Sequence, residues 1–302
     1  MFRLITILVF GGLPLLAHAE LEIFACEPEW TALAVEIGGD NIKTTTATNA
    51  YQDPHYLQAK PSLIAKVRQA DLVVCSGAEL EIGWLPLLIQ KANNPRVAPG
   101  SFGYFEASNY INRQGINTNT DRAQGDVHAL GNPHVHTSPH NIGPIAVALT
   151  ERMAQLDSVN ADSYRNNLQD FLMRWDAAIV GWEARITPLR GKKMITHHKS
   201  WIYLQQWLDI EEVANLEPVP GLPPTSSHLS RLLSQFGEGG ADFIVRSPYQ
   251  DDRGSNWLAD RSGIPAIVLP FTIDGNDRVT DLFSLYTETI DLLLGTLELT
   301  GN

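Results

Sequence analysis

Residues 161–187 read ADSYRNNLQDFLMRWDAAIVGWEARIT, and this segment gives the clearest view of how the chain is organised. Its large apolar side chains recur at spacings of three and four, at Tyr164, Leu168, Phe171, Leu172, Trp175, Ile179 and Trp182. That spacing predicts an amphipathic helix, which Pro188 and Gly191 are expected to end. At ~1.5 Å per residue the helix would be about 40 Å long, enough to run the length of a two-lobed protein.

Strand-like apolar runs alternate with helical patterns on both sides of this segment. The predicted strands before it are residues 21–26, 42–47 and 70–75, and those after it are residues 193–196, 212–216, 243–246 and 266–269. Such alternation predicts parallel sheets covered by helices. The polar residues 101–136 are predicted to form a long surface segment. We therefore predict an α/β protein with an N-terminal lobe (20–156), a linking long helix (157–190) and a C-terminal lobe (191–302).

The N-terminus has the pattern of a secretory signal peptide. A positively charged start, Met1-Phe2-Arg3, precedes the apolar residues 4–16 and the small-x-small tripeptide Ala17-His18-Ala19. This pattern predicts cleavage after Ala19, and the apolar run is too short for a stable membrane span. We expect an exported, periplasmic protein; the alternative is a buried N-terminal helix.

The net charge limits the possible binding partners, and the cysteines bear on the cellular compartment. The formal net charge of −12 argues against nucleic acid, which binds through Lys and Arg. Cys26 and Cys75 each end a predicted strand. If these strands are parallel neighbours, the two cysteines can form a disulfide in an oxidising compartment. Two buried free thiols are the alternative.

Three histidines lie in loops that follow predicted strands, at positions where parallel sheets commonly bind ligands. His55 ends the tripeptide Asp53-Pro54-His55, His134 ends Asn132-Pro133-His134, and His198 closely follows the predicted strand 193–196. Proline stiffens such loops, and ligands of open α/β sheets bind beyond the carboxyl ends of strands. Imidazole suits zinc, so this pattern predicts a metal site. The alternative is a set of solvated loop histidines.

The mature chain resembles the zinc/manganese-type solute-binding proteins of ABC importers along nearly its whole length. The matching segments are Gly38-Gly39-Asp40, Asp53-Pro54-His55, Lys60-Pro61-Ser62, residues 70–74, residues 77–81, Asn132-Pro133-His134-Val135, His198 with Tyr203, and residues 218–222. The resemblance implies two Rossmann-like α/β lobes joined by a single long rigid helix, with the metal in the interlobe cleft. It also implies a receptor that hands Zn²⁺ to an inner-membrane ABC permease.

The resemblance implies a ligand set as well. His55 and His134 match the two histidines of the N-terminal lobe, and His198 matches the third ligand, which is His in zinc-type members. The fourth ligand in many members is an Asp after the last core strand. Asp274 lies near that position but is displaced by one residue, so Asp277 or a water molecule are alternatives.

Other features bear on partners and on rival functions. His128, His136 and His140 are candidates for a weak collecting site, but the loop before His134 is too sparse in ligands for a strong one.

We expect a monomer, with a periplasmic metallochaperone as a further candidate partner. A manganese-binding homologue and a secreted zinc-dependent hydrolase are the alternatives. The chain lacks a His-Glu-x-x-His motif and paired catalytic carboxylates, so we predict that it is not an enzyme.

Overall fold

The computed structural model of the protein describes residues 20–117, 125–237 and 239–301. The predicted signal peptide, residues 1–19, lies outside these ranges. Within them, no helix combines the length and the apolar character that are needed to cross a membrane.

Four parallel strands form the sheet of the N-terminal lobe. They are β1 (Leu21–Ala25), β2 (Ile42–Thr46), β3 (Leu72–Cys75) and β4 (Tyr104–Glu106), in the order β2-β1-β3-β4. The accompanying helices are α1 (Pro28–Gly38), α2 (Pro61–Gln69), α3 (Leu85–Ala92) and α4 (Pro139–Leu156). The segment 101–136 was predicted without a strand, so β4 is an addition to the predicted sheet.

The C-terminal lobe repeats this strand order. Its strands are β5 (Lys193–Thr196), β6 (Glu211–Asn215), β7 (Phe243–Arg246) and β8 (Ala266–Val268), all parallel and in the order β6-β5-β7-β8. Its helices are α6 (Ile202–Leu208), α7 (Ser226–Phe236), α8 (Arg253–Ser262) and α9 (Leu282–Thr300). In each sheet the strand order reverses beside the first strand, and sheets of this kind bind ligands outside the carboxyl ends at that point.

The long helix α5 (Ala161–Glu183) links the two lobes. It starts where the sequence predicts but ends four residues before the expected Thr187. The backbone N–H of Arg185 donates to the carbonyl of Trp182, which tightens the last turn. Pro188 has no backbone N–H and its ring clashes with the preceding helical turn, so the α-helix does not continue and a 3₁₀ turn (Thr187–Leu189) follows.

Helix α5 packs against both lobes. Near its N-terminal end, Asn167 Nδ2 donates to the carbonyl of Ile37 at the end of α1 (2.8 Å). Near its C-terminal end, Trp182 Nε1 donates to Thr287 Oγ1 of α9 (3.0 Å). Between them Trp175 is buried, donating its indole N–H to α4 while its ring lies against α9. The predicted architecture of two α/β lobes and a long connecting helix is confirmed.

The predicted disulfide is also present. Strands β1 and β3 are parallel neighbours, and their register pairs Ala25 with Val74. The next residues, Cys26 and Cys75, therefore lie side by side, and they are bonded with their Cα atoms 4.8 Å apart. That separation is within the usual range for a disulfide.

Candidate metal centre

Two tripeptides of the same pattern form matching turns. The backbone N–H of His55 donates to Asp53 Oδ1, and the backbone N–H of His134 donates to Asn132 Oδ1, both at 3.0 Å. Asp and Asn commonly close turns in this way, and the intervening proline restricts the backbone further. The x-Pro-His pattern thus holds both histidines in defined positions on the N-terminal lobe.

The three predicted histidines meet between the lobes. His198 comes from the C-terminal lobe just after β5, where the preceding N–H of His197 still donates to Val245 O of β7. One ring nitrogen from each of His55, His134 and His198 lies within 4.8 Å of the other two. All three side chains are buried, and neighbouring ring centroids are 5.3–6.1 Å apart.

Carboxylates orient two of these rings. Asp53 Oδ1 lies 2.7 Å from His55 Nδ1, and Glu217 Oε2 lies 2.7 Å from His198 Nδ1. Burial raises the pKa of Asp53, but the hydrogen bonds and charge of His55 outweigh it and lower that pKa below its usual value. A carboxylate on one ring nitrogen leaves the other as a lone-pair donor, the usual arrangement for a metal-binding histidine.

His134 differs from the other two because neither of its ring nitrogens has a hydrogen-bond partner. Its side chain is fully buried. Burial, followed by the charges of neighbouring histidines, holds its pKa well below the ordinary value, so the ring is neutral. An unpaired buried polar group is costly unless something binds it. A cation held by neutral imidazoles fits this position.

Asp274 does not join the histidines, contrary to the prediction. Phe271 and Ile273 of its loop turn into the core, and Asp274 is left exposed in a left-handed conformation (φ +64°). Its N–H donates to Val279 O (2.9 Å), which closes the loop on itself. The alternative ligand Asp277 is exposed as well. The one-residue displacement seen in the sequence therefore corresponds to a loop that directs its carboxylates outward.

The three additional histidines lie in three different environments. His136 is buried, with Nε2 2.9 Å from Phe271 O and Nδ1 3.0 Å from Glu29 Oε1. His140 is exposed on α4 and pairs with Glu183 (3.0 Å). They therefore form no separate collecting site with His128.

His128 lies beside the histidine cluster. Its Nε2 is 3.3 Å from His55 Nε2. Burial, followed by the charges of His55 and His198, lowers the pKa of His128 to about 3, which keeps its ring neutral.

Acidic side chains surround a small cavity next to the cluster. The cavity has a volume of about 180 Å³, and its lining includes Asp53, Asp126, Glu217 and Asp251. The chain as a whole carries a formal charge of −12. Negative potential concentrated in a recess raises the local concentration of cations. The surroundings of the histidines therefore favour a positively charged ligand.

Sequence reasoning missed the roles of Glu217 and His128. Glu217 directly follows residues 212–216, a predicted strand, so its position at the carboxyl end of a parallel strand was a usable signal. His128 offered no comparable signal, because the segment that carries it has no regular pattern. Its position depends on contacts with distant parts of the chain.

Two parallel α/β lobes hold a buried imidazole cluster between them, an arrangement that suits a metal-binding protein. The family model described as "Zinc-uptake complex component A periplasmic" matches residues 23–294. The chain belongs to this family.

Curated relatives include proteins named for zinc and for manganese. The metal ABC transporter substrate-binding lipoprotein ScbA of Streptococcus cristatus is 20% identical over 259 residues, 84% of this chain and 80% of that protein. The high-affinity zinc uptake system protein ZnuA of Yersinia pestis is 21% identical over 211 residues, 65% of each chain. The manganese ABC transporter substrate-binding lipoprotein PsaA of Streptococcus anginosus is 24% identical over 258 residues, 84% of this chain and 80% of that protein.

Solved structures share the fold. A crystal structure of ZnuA superposes with a TM-score of 0.74 at 21% identity, covering 94% of this chain and 99% of that one. A cadmium-bound periplasmic metal-binding protein from Candidatus Liberibacter asiaticus gives 0.73 at 18% identity, covering 91% and 98%. The family and its relatives are substrate-binding transport proteins, so the prediction that this chain is not an enzyme is confirmed, and the hydrolase alternative is wrong.

Proposed function

We propose that the chain is a periplasmic zinc-binding protein that delivers Zn²⁺ to an inner-membrane ABC permease. The observation that carries this proposal is the convergence of His55, His134 and His198 from two lobes, with their ring nitrogens within 4.8 Å of one another. Imidazole nitrogen favours zinc, whereas manganese favours carboxylate and other oxygen ligands. In this site the carboxylates of Asp53 and Glu217 contact the histidine rings and so orient the ligands.

In this proposal, His55, His134 and His198 bind the metal directly. Asp274, the fourth ligand expected from the sequence, is not part of the proposed set because it is exposed. A manganese-binding protein remains the second candidate, since several relatives are named for manganese. The three imidazoles count against it, because hard manganese prefers oxygen donors.

Direct competition between the two metals tests the proposal. Purified mature protein, stripped of metal, is titrated with Zn²⁺ and Mn²⁺ against a chelator, and bound metal is counted by elemental analysis. We expect one tightly bound Zn²⁺ per chain and much weaker Mn²⁺ binding. Tighter binding of Mn²⁺ than of Zn²⁺ would refute the proposed preference for zinc.

The remaining parts of the proposal concern location and partners. Cleavage after Ala19 would release a periplasmic monomer. It would consist of an N-terminal lobe (20–156), a linking helix (157–190) and a C-terminal lobe (191–302). Its partners would be the permease and, as a candidate, a periplasmic metallochaperone. N-terminal sequencing of protein recovered from the periplasm tests the first step, and a mature chain that starts elsewhere would contradict it.

A further inference from the structure

The spacing between His128 and His55 suits a shared metal ion. Their Nε2 atoms are 3.3 Å apart, and the rings are stacked with centroids separated by 5.4 Å. Two nitrogens that each lie 2.0–2.1 Å from a tetrahedral zinc ion are about 3.3–3.4 Å apart. The observed separation is therefore the one that two imidazoles adopt on the same zinc ion. A direct hydrogen bond between the rings is the competing explanation.

The segment that carries His128 is fixed to the N-terminal lobe. The N–H of Ala129 donates to Glu79 Oε2 (3.0 Å), directly beside His128. On the other side, Asp126 Oδ2 accepts a hydrogen bond from the hydroxyl of Tyr56 (2.7 Å), the residue that follows His55. These two contacts position the segment against the turn that presents His55.

The same segment is also fixed to the C-terminal lobe. The N–H of Asp126 donates to the carbonyl of Pro220 (3.0 Å). Gly125 has φ +86°, and a Cβ atom there would lie 2.0 Å from that same carbonyl oxygen. Only glycine permits this approach. The contacts on both sides hold the imidazole of His128 beside that of His55, between the lobes.

We propose that His128 is the fourth zinc ligand, and that the complete site consists of four imidazoles. This proposal rests on the proposed zinc-binding function. It replaces the carboxylate expected at Asp274 with a nitrogen donor from residues 125–129. A fourth imidazole increases the preference for zinc over manganese, because it removes an oxygen ligand that manganese would favour. His128 is thus a specificity-determining residue of this chain.

The test compares wild-type protein with His128→Asn and with a matched control, His140→Asn. His140 is exposed on α4 and lies outside the cluster. X-ray absorption of the zinc-loaded proteins counts imidazole ligands through the outer-shell scattering of their rings, and Co²⁺ substitution reports the coordination geometry through its visible absorption. We expect four imidazoles in the wild type and the control, but three and an oxygen donor in His128→Asn.

Affinity provides a second readout. His128→Asn should weaken zinc binding by roughly 100-fold, because losing a direct ligand costs at least as much as losing an outer partner, which costs 10–100-fold. Manganese binding should change less, so the zinc-to-manganese preference should fall. His140→Asn should match the wild type for both metals.

The outcomes separate this proposal from the function on which it rests. Three imidazoles in the wild type, or an unchanged Co²⁺ spectrum in His128→Asn, would overturn the role of His128 and leave a ring-to-ring hydrogen bond. The wild-type ligand count decides the matter even if the variant folds poorly. Failure of the wild type to bind zinc stoichiometrically would instead refute the proposed function itself.

Discussion

At the scale of single residues, Glu217 controls how one imidazole is presented. Its Oε2 lies 2.7 Å from His198 Nδ1 and also accepts the N–H of Gly221 at 2.8 Å. One carboxylate therefore fixes both the ring and the loop that begins at Pro218. Such a partner determines which ring nitrogen is free to bind metal and raises its basicity.

Replacing Glu217 with Gln should weaken zinc binding by about 10–100-fold. The amide keeps most of the size of the carboxylate but loses its charge, and it can hold His198 in the wrong tautomer. Glu211→Gln, at an exposed position on β6, is the matched control. Chelator competition measures both variants. Equal affinity in Glu217→Gln and Glu211→Gln would show that the carboxylate does not orient the ligand.

The pH dependence of zinc binding also belongs to individual residues. Zinc needs neutral imidazoles, whose ordinary pKa is about 6.5, so affinity should fall between pH 7 and pH 5. A lowered pKa moves proton competition to lower pH. The pKa values of His134 and His128 are both lowered, chiefly by burial, so these two rings should stay neutral across this range. The slope of the logarithm of zinc affinity against pH should therefore be smaller than one per zinc-binding histidine.

Zinc titrations at several pH values measure this slope. The same titrations on His140→Asn control for the exposed histidine of α4. An affinity that is independent of pH from 7 to 5 would contradict a histidine site. A slope of one proton for every histidine would show instead that burial does not keep His134 neutral.

Predictability from the sequence also differs from residue to residue. His55 and His134 could be predicted because proline and a turn-forming Asp or Asn fix them locally. His198 could be predicted because it lies two residues after the predicted strand 193–196. The exposed position of Asp274, apart from the histidines, could not be predicted, since the direction of its side chain depends on how Phe271 and Ile273 pack into the core. The segment that carries His128 is held by hydrogen bonds from Ala129 to Glu79 and from Asp126 to Pro220, contacts that no local pattern shows.

At the scale of elements, strands with strong apolar character were predicted closely, and the short strand β4 was missed. Tyr104–Glu106 has only three residues within a polar segment. It is a strand because it pairs with β3, where Val74 lies opposite Phe105. That pairing is a tertiary contact, and a three-residue run carries too little periodicity to reveal it.

The disulfide between the ends of β1 and β3 should contribute measurably to stability. It closes a sequence separation of 49 residues, and a bond of this kind typically stabilises a protein by about 2–4 kcal/mol. The double variant Cys26→Ser/Cys75→Ser should lose that amount in urea denaturation. Adding reductant should destabilise the wild type but leave the double variant unchanged. Equal stability of wild type and variant would show that the two strands hold together without the bond.

At the scale of the whole molecule, contacts between the lobes resist a wide hinge motion. Helix α5 packs on α1 and α9, so distorting it would disturb both lobes. Asn132 Nδ2 donates to Lys199 O (2.6 Å), and Thr272 Oγ1 donates to the buried Glu29 carboxylate. Rigid packing of this kind favours local changes over large rotations of domains.

We therefore expect metal binding to move loops rather than lobes. Comparing crystal structures of the metal-free and zinc-loaded protein should show changes within residues 125–131 and 273–279, with α5 and the interlobe contacts of Asn132 and Thr272 unchanged. Solution scattering of both forms provides a check that is free of crystal packing. A rotation of one lobe by tens of degrees, with these loops unaltered, would prove the rigid-helix interpretation wrong.

One apolar core runs from the N-terminal sheet to the C-terminal sheet. It includes Ile23 of β1, Trp175 of α5 and Phe243 of β7. Two lobes that share a core are one cooperative unit, although the sheets themselves are separate. Calorimetry of the metal-free protein should therefore show a single melting transition, with equal calorimetric and van 't Hoff enthalpies. Cutting the chain at residue 156 would expose the apolar residues of this core in both fragments. Neither fragment should therefore fold when it is expressed alone.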